Sequence, residues 1–241
     1  MVSEAAADTV NVLATIATAC IFLSMVPEHV IAIYRSKSTA STNFYPLLAM
    51  FAQCIGWVLY GWASDALFPV SAVNGFGAIM AIVFWVVFLK FEKENRKRYI
   101  AYIIATVVLM VALTLYAFLS PQSKSDVADV IGYIANAGAI ILFASPMFAL
   151  TRVVREKCSD ILSLGMAASG CVNGYLWTAY GVIQSDNYVL VPNCISATLC
   201  VIQLIFIVIF PRSKKEAATA STPITEFEKK NSTQASLLEQ A

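Results

Sequence analysis

Seven long apolar runs alternate with short polar segments along the chain. They cover residues 11–34, 44–62, 69–91, 99–119, 129–152, 161–183 and 188–210. A bilayer core takes about 20 apolar residues in a helix. Backbone groups in lipid must pair within their own segment, so runs of this length predict helices rather than strands. The expected fold class is therefore an all-α membrane protein with seven transmembrane helices. Composition agrees. The 241 residues are 59% hydrophobic and 13% charged, against roughly 45–50% and 25% in a soluble domain. A soluble core of this size is too large for the length to wrap.

Charge placement adds orientation. All but one of the 16 Lys and Arg residues fall at or after the ends of the first, third, fifth and seventh runs, the exception being Lys124. Basic residues mark the cytosolic side, so the N-terminus is expected outside and the C-terminus in the cytosol. The acidic first residues and the length of the first apolar run argue against a cleavable signal peptide. Segment 211–241 is rich in Ser, Thr, Glu and Lys and is expected to be disordered. Its Asn231-Ser232-Thr233 sequon is a chance match, because a cytosolic tail does not meet the glycosylation machinery. The six Cys residues show no metal-ligand spacing and read as small packing residues.

A repeat organises the helices. Trp57–Gly61 (WVLYG) returns 120 residues later as Trp177–Gly181 (WTAYG). At the same offset Arg35 and Lys37 meet Arg155 and Lys157, and Gln53 meets Asn173. With a one-residue gap, Pro27 meets Pro146 and Asn74 meets Asn193. The fourth run has no partner. Three helices are an odd number, so two direct copies would lie upside down relative to each other; one extra helix restores a parallel arrangement. The expected layout is 3+1+3: an extracellular N-terminus at 1–10, a first triple-helix repeat at 11–91, a linker helix with its loops at 92–128, a second repeat at 129–210 and the tail at 211–241. Transporters hold their solute near the midplane between such repeats.

The residues suggest chemistry for that place. Asn74 and Asn193 are amides inside apolar runs. An amide offers two donors and two acceptors, which suits a ring of hydroxyls, and is costly in lipid unless paired. The alternative is helix–helix packing, eased by Gly75 and Gly77 beside Asn74. Trp57 and Trp177 present flat indoles on which the apolar C–H face of a ring-shaped solute could lie. The alternative for them is an interfacial aromatic belt, for which Trp62 is the better candidate. Pro27, Pro46 and Pro146 are expected to bend helices. Glu28 and His29 form an adjacent ionisable pair that raises the question of proton coupling. No P-loop, GxSxG or metal cluster occurs, so no catalytic residue, metal or cofactor is expected, and no nucleic-acid partner. A pocket without charge suits a neutral solute, since a carboxylate or phosphate would want Arg or Lys.

With a Pro in helix 1, R-x-K-S-T after it, W-x-x-Y-G in helices 2 and 6 and an Asn in helices 3 and 7, the chain resembles the SWEET family of sugar uniporters over residues 11–210. That resemblance implies passive, bidirectional transport of mono- or disaccharides by alternating access. It implies solute contact at Asn74, Asn193, Trp57 and Trp177, and an outer gate of Tyr60, Tyr180 and Asp186, with Asp65 a weaker match. It places Pro27, Pro46 and Pro146 around an inner gate, where a fourth proline is replaced by Ser163. Gln53, Asn173, Pro192 and Gln203 fall at supporting positions. Glu28 stands where the family has an uncharged polar residue. A homo-oligomer, trimer or dimer, is expected, in the plasma membrane or else a vacuolar or other endomembrane. Two other readings compete. A seven-helix receptor would not show the 120-residue repeat, and a retinal protein would need a Lys in the seventh run, which has none. A proton-coupled PQ-loop transporter of amino acids would want an acid near the midplane, where Glu28 is badly placed.

Overall fold

The computed structural model describes residues 3–40 and 42–210. The tail and its sequon lie outside the described residues, as does the Glu28 side chain. The described chain forms seven long helices: α1 Glu4–Ser36, α2 Tyr45–Ala63, α3 Leu67–Phe91, α4 Arg96–Leu119, α5 Lys124–Glu156, α6 Leu164–Gln184 and α7 Asn187–Ile209. Six are long and apolar enough to cross a membrane. The exception, α6, carries Ser169, Gly170, Asn173 and Gly174 in its middle, and it packs along α7 and α1.

Two helices outrun their apolar stretches because polar caps start them early. Ser3 accepts a hydrogen bond from the Ala6 N–H at 3.3 Å, with Glu4 following in the first turn of α1. Ser123 accepts from the Asp126 N–H at 3.2 Å and donates to its carboxylate at 2.7 Å. Each cap satisfies N–H groups that have no partner inside the helix.

In each unit the third helix lies against both others: α3 packs on α1 and α2, and α7 on α5 and α6. The linker α4 rests on α2. The units meet through α1 with α6 and α2 with α5. The duplication reaches into backbone detail. Among the described residues, the non-glycine residues with positive φ are Lys37 and Lys157 (52° and 54°) and Asp65 and Ser185 (59° and 54°), two pairs that are each 120 apart. The Ala66 N–H donates to the Gly61 carbonyl at 2.7 Å, and the Asp186 N–H to the Gly181 carbonyl at 2.8 Å.

The glycine of each WxxYG motif is needed where the next helix comes back. A Cβ on Gly61 would stand 2.9 Å from the Ala66 carbonyl oxygen and the Ser71 N. One on Gly181 would stand 2.7 Å from the Leu190 Cα. These neighbours are backbone and cannot rotate away. Gly61→Ala and Gly181→Ala are each expected to destabilise by about 1–3 kcal/mol, read as a lower melting temperature in detergent. Beside Asn74, Gly77 serves close packing against Phe22 and Cys54, whereas Gly75 faces open space.

The end bearing the α1–α2, α3–α4 and α5–α6 turns is the basic one. There Glu92 accepts from the Asn95 N–H at 2.8 Å and the Thr39 hydroxyl at 2.6 Å, tying two turns together. Those two bonds, Asn95 first, hold its carboxyl below the ordinary value.

Candidate functional site

Between the two units lies a cavity of about 210 Å³. Asn74 and Trp57 line it from one unit, and Asn193, Trp177, Asn173 and Pro192 from the other. Thr18, Val70, Ala139, Val189 and Ser196 complete the wall, and among the described residues no charged side chain lines it.

The two asparagines are held alike. Asn74 Nδ2 donates to the Val70 carbonyl at 2.9 Å, and Asn193 Nδ2 to the Val189 carbonyl at 2.8 Å. Each bond runs one turn back along the residue's own helix. It fixes the amide's direction while using one of its two N–H donors. Neither amide ties two helices together, so the helix-packing alternative gains no support from these bonds.

Above the asparagines the repeated Trp and Tyr form two matching pairs. Trp57 meets Tyr60 edge to face at 5.4 Å and 85°, and Trp177 meets Tyr180 at 5.4 Å and 69°. Such crossed rings suit the aromatic quadrupole. Beyond them lies a vestibule of about 670 Å³, lined by Tyr60, Tyr180, Tyr188, Asp65, Asp129, Asp186 and Lys124. The Tyr60 hydroxyl donates to Asp186 Oδ1 at 2.7 Å, joining the first unit to the second. The same oxygen caps α7 by accepting from the Val189 N–H at 3.1 Å. Asp186 thus bonds the tyrosine of the opposite unit; Tyr180 stays buried beside it. Asp65 pairs with Lys124, a second link between the units at this end. Trp62 lies outside the cavity, stacked on Phe118 at 4.3 Å with the Lys124 ammonium over its ring.

The supporting polar residues divide. Asn173 Oδ1 accepts from the Thr18 hydroxyl at 2.6 Å. Its repeat partner Gln53 turns away from the cavity, and its Nε2 donates to the Ala135 carbonyl on α5 at 3.2 Å. Gln203 is half-buried on α7 and lines neither space.

The prolines play three different structural parts. Pro27 opens a π-helical turn, Pro27–Ile31, in which the Ala32 N–H reaches back to the Pro27 carbonyl. That interrupts the regular ladder of α1. Pro146 sits inside α5. Pro46 occupies the first turn of α2, where its missing N–H has no partner to lose. Ser163 caps the start of α6, accepting from the Met166 N–H at 3.3 Å. Its site and that of Pro46 are both helix beginnings, for which Ser and Pro are alternative solutions. His29 is buried against Phe84, with ring centroids 5.3 Å apart. All six cysteines are free thiols.

Pro192 lies inside α7, two residues past the first turn that Asp186 caps. It has no N–H for the Tyr188 carbonyl one turn back. Asn136 of α5 supplies the missing donor: its Nδ2 reaches that carbonyl at 3.0 Å and its own Gly132 carbonyl at 2.9 Å. Sequence reasoning passed over Asn136 because it has no partner in the repeat. Asn136→Leu is expected to lower stability by about 1–3 kcal/mol by leaving the part-buried Tyr188 carbonyl unsatisfied. Adding Pro192→Ala restores a backbone donor and should recover most of the loss, as measured by thermal unfolding in detergent.

Comparison with known proteins assigns the architecture. The family model described as "Sugar efflux transporter for intercellular exchange" matches residues 8–96 and 129–215, once per unit. The bidirectional sugar transporter SWEET7b of Oryza sativa subsp. indica is 26% identical over 90% of this chain and 83% of its own length.

The chain belongs to the SWEET family.

This SWEET protein is also 25% identical to the sugar transporter SWEET1 of Drosophila pseudoobscura pseudoobscura, over 73% of this chain and 78% of the relative. A solved structure of a eukaryotic SWEET transporter superimposes with a TM-score of 0.77 at 22% identity, covering 85% of this chain and 96% of that one. The family is one of sugar transporters rather than enzymes. In this SWEET protein the cavity wall is built from the two matched segments, Thr18 to Asn74 from the first and Ala139 to Ser196 from the second.

Proposed function

We propose that this protein is a facilitative, bidirectional carrier of mono- or disaccharides that works by alternating access. The observation that supports the reading is the cavity shared by the two units, lined by Asn74 and Trp57 from one and by Asn193 and Trp177 from the other. Sugar hydroxyls leaving water need replacement partners, and amides supply both donors and acceptors. The indoles offer flat apolar faces to the ring carbons. Transport follows if the two units rock about this fixed site. The Tyr60–Asp186 bond then forms the outer gate in its closed state, with Tyr180 behind it and the Lys124–Asp65 pair at the rim. The inner ends of α1 and α5, interrupted at Pro27 and Pro146, supply the bending. Pro46 and Ser163 set where α2 and α6 begin beside that gate.

The clustering of Arg and Lys at the opposite end supports an N-out, C-in orientation. The plasma membrane is the membrane proposed, and the family resemblance adds a homo-oligomer. The test is counterflow of radiolabelled glucose and sucrose in proteoliposomes, with and without a pH gradient. Exchange of one sugar without any gradient is the expected result. Flux that vanishes when the gradient is removed would transfer the assignment to a proton-coupled carrier. A solute-dependent conformational signal with no flux would transfer it to a receptor.

A further inference from the structure

Thr18 lines the cavity beside the repeated Trp and Asn residues. Its hydroxyl donates to Asn173 Oδ1 at 2.6 Å and accepts from Trp177 Nε1 at 2.8 Å. Thr18 belongs to α1 and the other two to α6, so the relay crosses from one unit to the other. One hydroxyl therefore occupies the only donor of Trp177 and the amide oxygen of Asn173.

The first unit has no such relay. At the 119-residue offset that matches Pro27 with Pro146, Thr18 falls on Ala137, which has no hydroxyl. At the 120-residue offset of the WxxYG motif, Asn173 falls on Gln53, whose longer side chain reaches the α5 backbone instead and fills the space over Gly138. Trp57 makes its ring contact with Tyr60, and its N–H carries no described hydrogen bond. The two indoles are thus chemically different although their motif is the same.

We infer that Thr18 is a positioning residue that sets how the second unit reads the solute. With its N–H engaged, Trp177 offers only its ring face. With its oxygen engaged, Asn173 offers its two N–H donors. Trp57 keeps a free ring N–H, so direct indole hydrogen bonding to a sugar hydroxyl belongs to the first unit alone. A second-unit surface of ring face plus amide donors favours sugars that present acceptor oxygens beside an apolar C–H face. This assignment rests on the transport reading above.

The test compares Thr18→Val, which keeps shape and removes the hydroxyl, with Thr18→Ser, which keeps the hydroxyl. Glucose counterflow in proteoliposomes gives KM and maximal rate. Ultraviolet resonance Raman spectra, with Trp177→Phe as the difference reference, report hydrogen bonding at the Trp177 ring N–H. Thr18→Val is expected to raise KM about three- to tenfold, the effect of losing one or two hydrogen bonds, with a smaller change in maximal rate. It should also shift the Trp177 band toward that of an unbonded indole, and Thr18→Ser should restore both. A KM unchanged in Thr18→Val, or a Trp177 band insensitive to it, overturns the inference while the transport reading stands. Absence of flux in the unmodified protein overturns the transport reading and this one with it. In that case an intact Trp177 band shift would still show Thr18 holding the indole, now as a packing bond only.

Discussion

Asn193→Ala and Asn74→Ala should each abolish measurable sugar flux while leaving the protein folded. Both amides line the uncharged cavity, one from each unit. Their described hydrogen bonds go to their own helices, Val189 and Val70 being one turn back. Truncation therefore removes groups aimed at the cavity without untying two helices. A site that loses its hydrogen-bonding partner for a sugar hydroxyl forfeits about 1–3 kcal/mol per contact, roughly 5- to 150-fold in apparent affinity. The loss compounds, because an amide can engage more than one hydroxyl. The measurement is counterflow in proteoliposomes, with size-exclusion behaviour and melting temperature as folding controls. Unchanged flux in both variants would defeat the site assignment outright.

Tyr60→Phe should shift the carrier toward the state open at the vestibule. The ring and its contacts with Trp57 and Tyr188 remain; only the hydroxyl bond to Asp186 is lost. Asp186 keeps its capping bond to Val189, so α7 should start unchanged. A hydrogen bond to a charged acceptor contributes about 1.5–3 kcal/mol. Because this bond joins the two units, its contribution favours the closed vestibule alone, and its loss moves the balance by roughly 10- to 150-fold. The exposed Lys124–Asp65 pair remains, but a surface ion pair adds only about 0.2–1 kcal/mol. Spin labels at Leu67 and Gln184, in a background without the native cysteines, should report longer distances in Tyr60→Phe. An unaltered distance distribution would show that the hydroxyl bond does not hold the vestibule closed.

The fold was largely legible before any coordinates. Long uncharged runs have one physical solution in lipid, and the repeated WxxYG motif set the two units side by side. The motif's glycines then proved to be where the chain folds back, with Gly61 against Ala66 and Ser71 and Gly181 against Leu190. Helix ends were less legible. Hydropathy marks the part of a helix that lies in lipid, whereas α1 and α5 begin at the polar caps Ser3 and Ser123. Ser163 shows the same limit: in sequence it stands where a proline is expected, and only the backbone shows that its position is a helix start.

The candidate site was legible where it is symmetric. Asn74, Asn193, Trp57 and Trp177 stood out because each has a counterpart, and all four line one space. Thr18 and Asn136 did not stand out. A threonine in an apolar helix is common, and neither residue has a like partner in the other unit. Their parts depend on which helices meet, here α1 with α6 and α5 with α7.

By itself the sequence determined that the chain crosses a membrane as two parallel triple-helix units around a linker, because apolar length and repeat offset constrain a helix bundle in lipid directly. The tertiary structure alone decided that α3 and α7 take the inner position of each unit, that Asp186 answers Tyr60, and that Thr18 divides two identical-looking tryptophans into different chemical roles. Those outcomes turn on side-chain reach between helices distant in sequence, which no local pattern of hydrophobic and polar residues encodes.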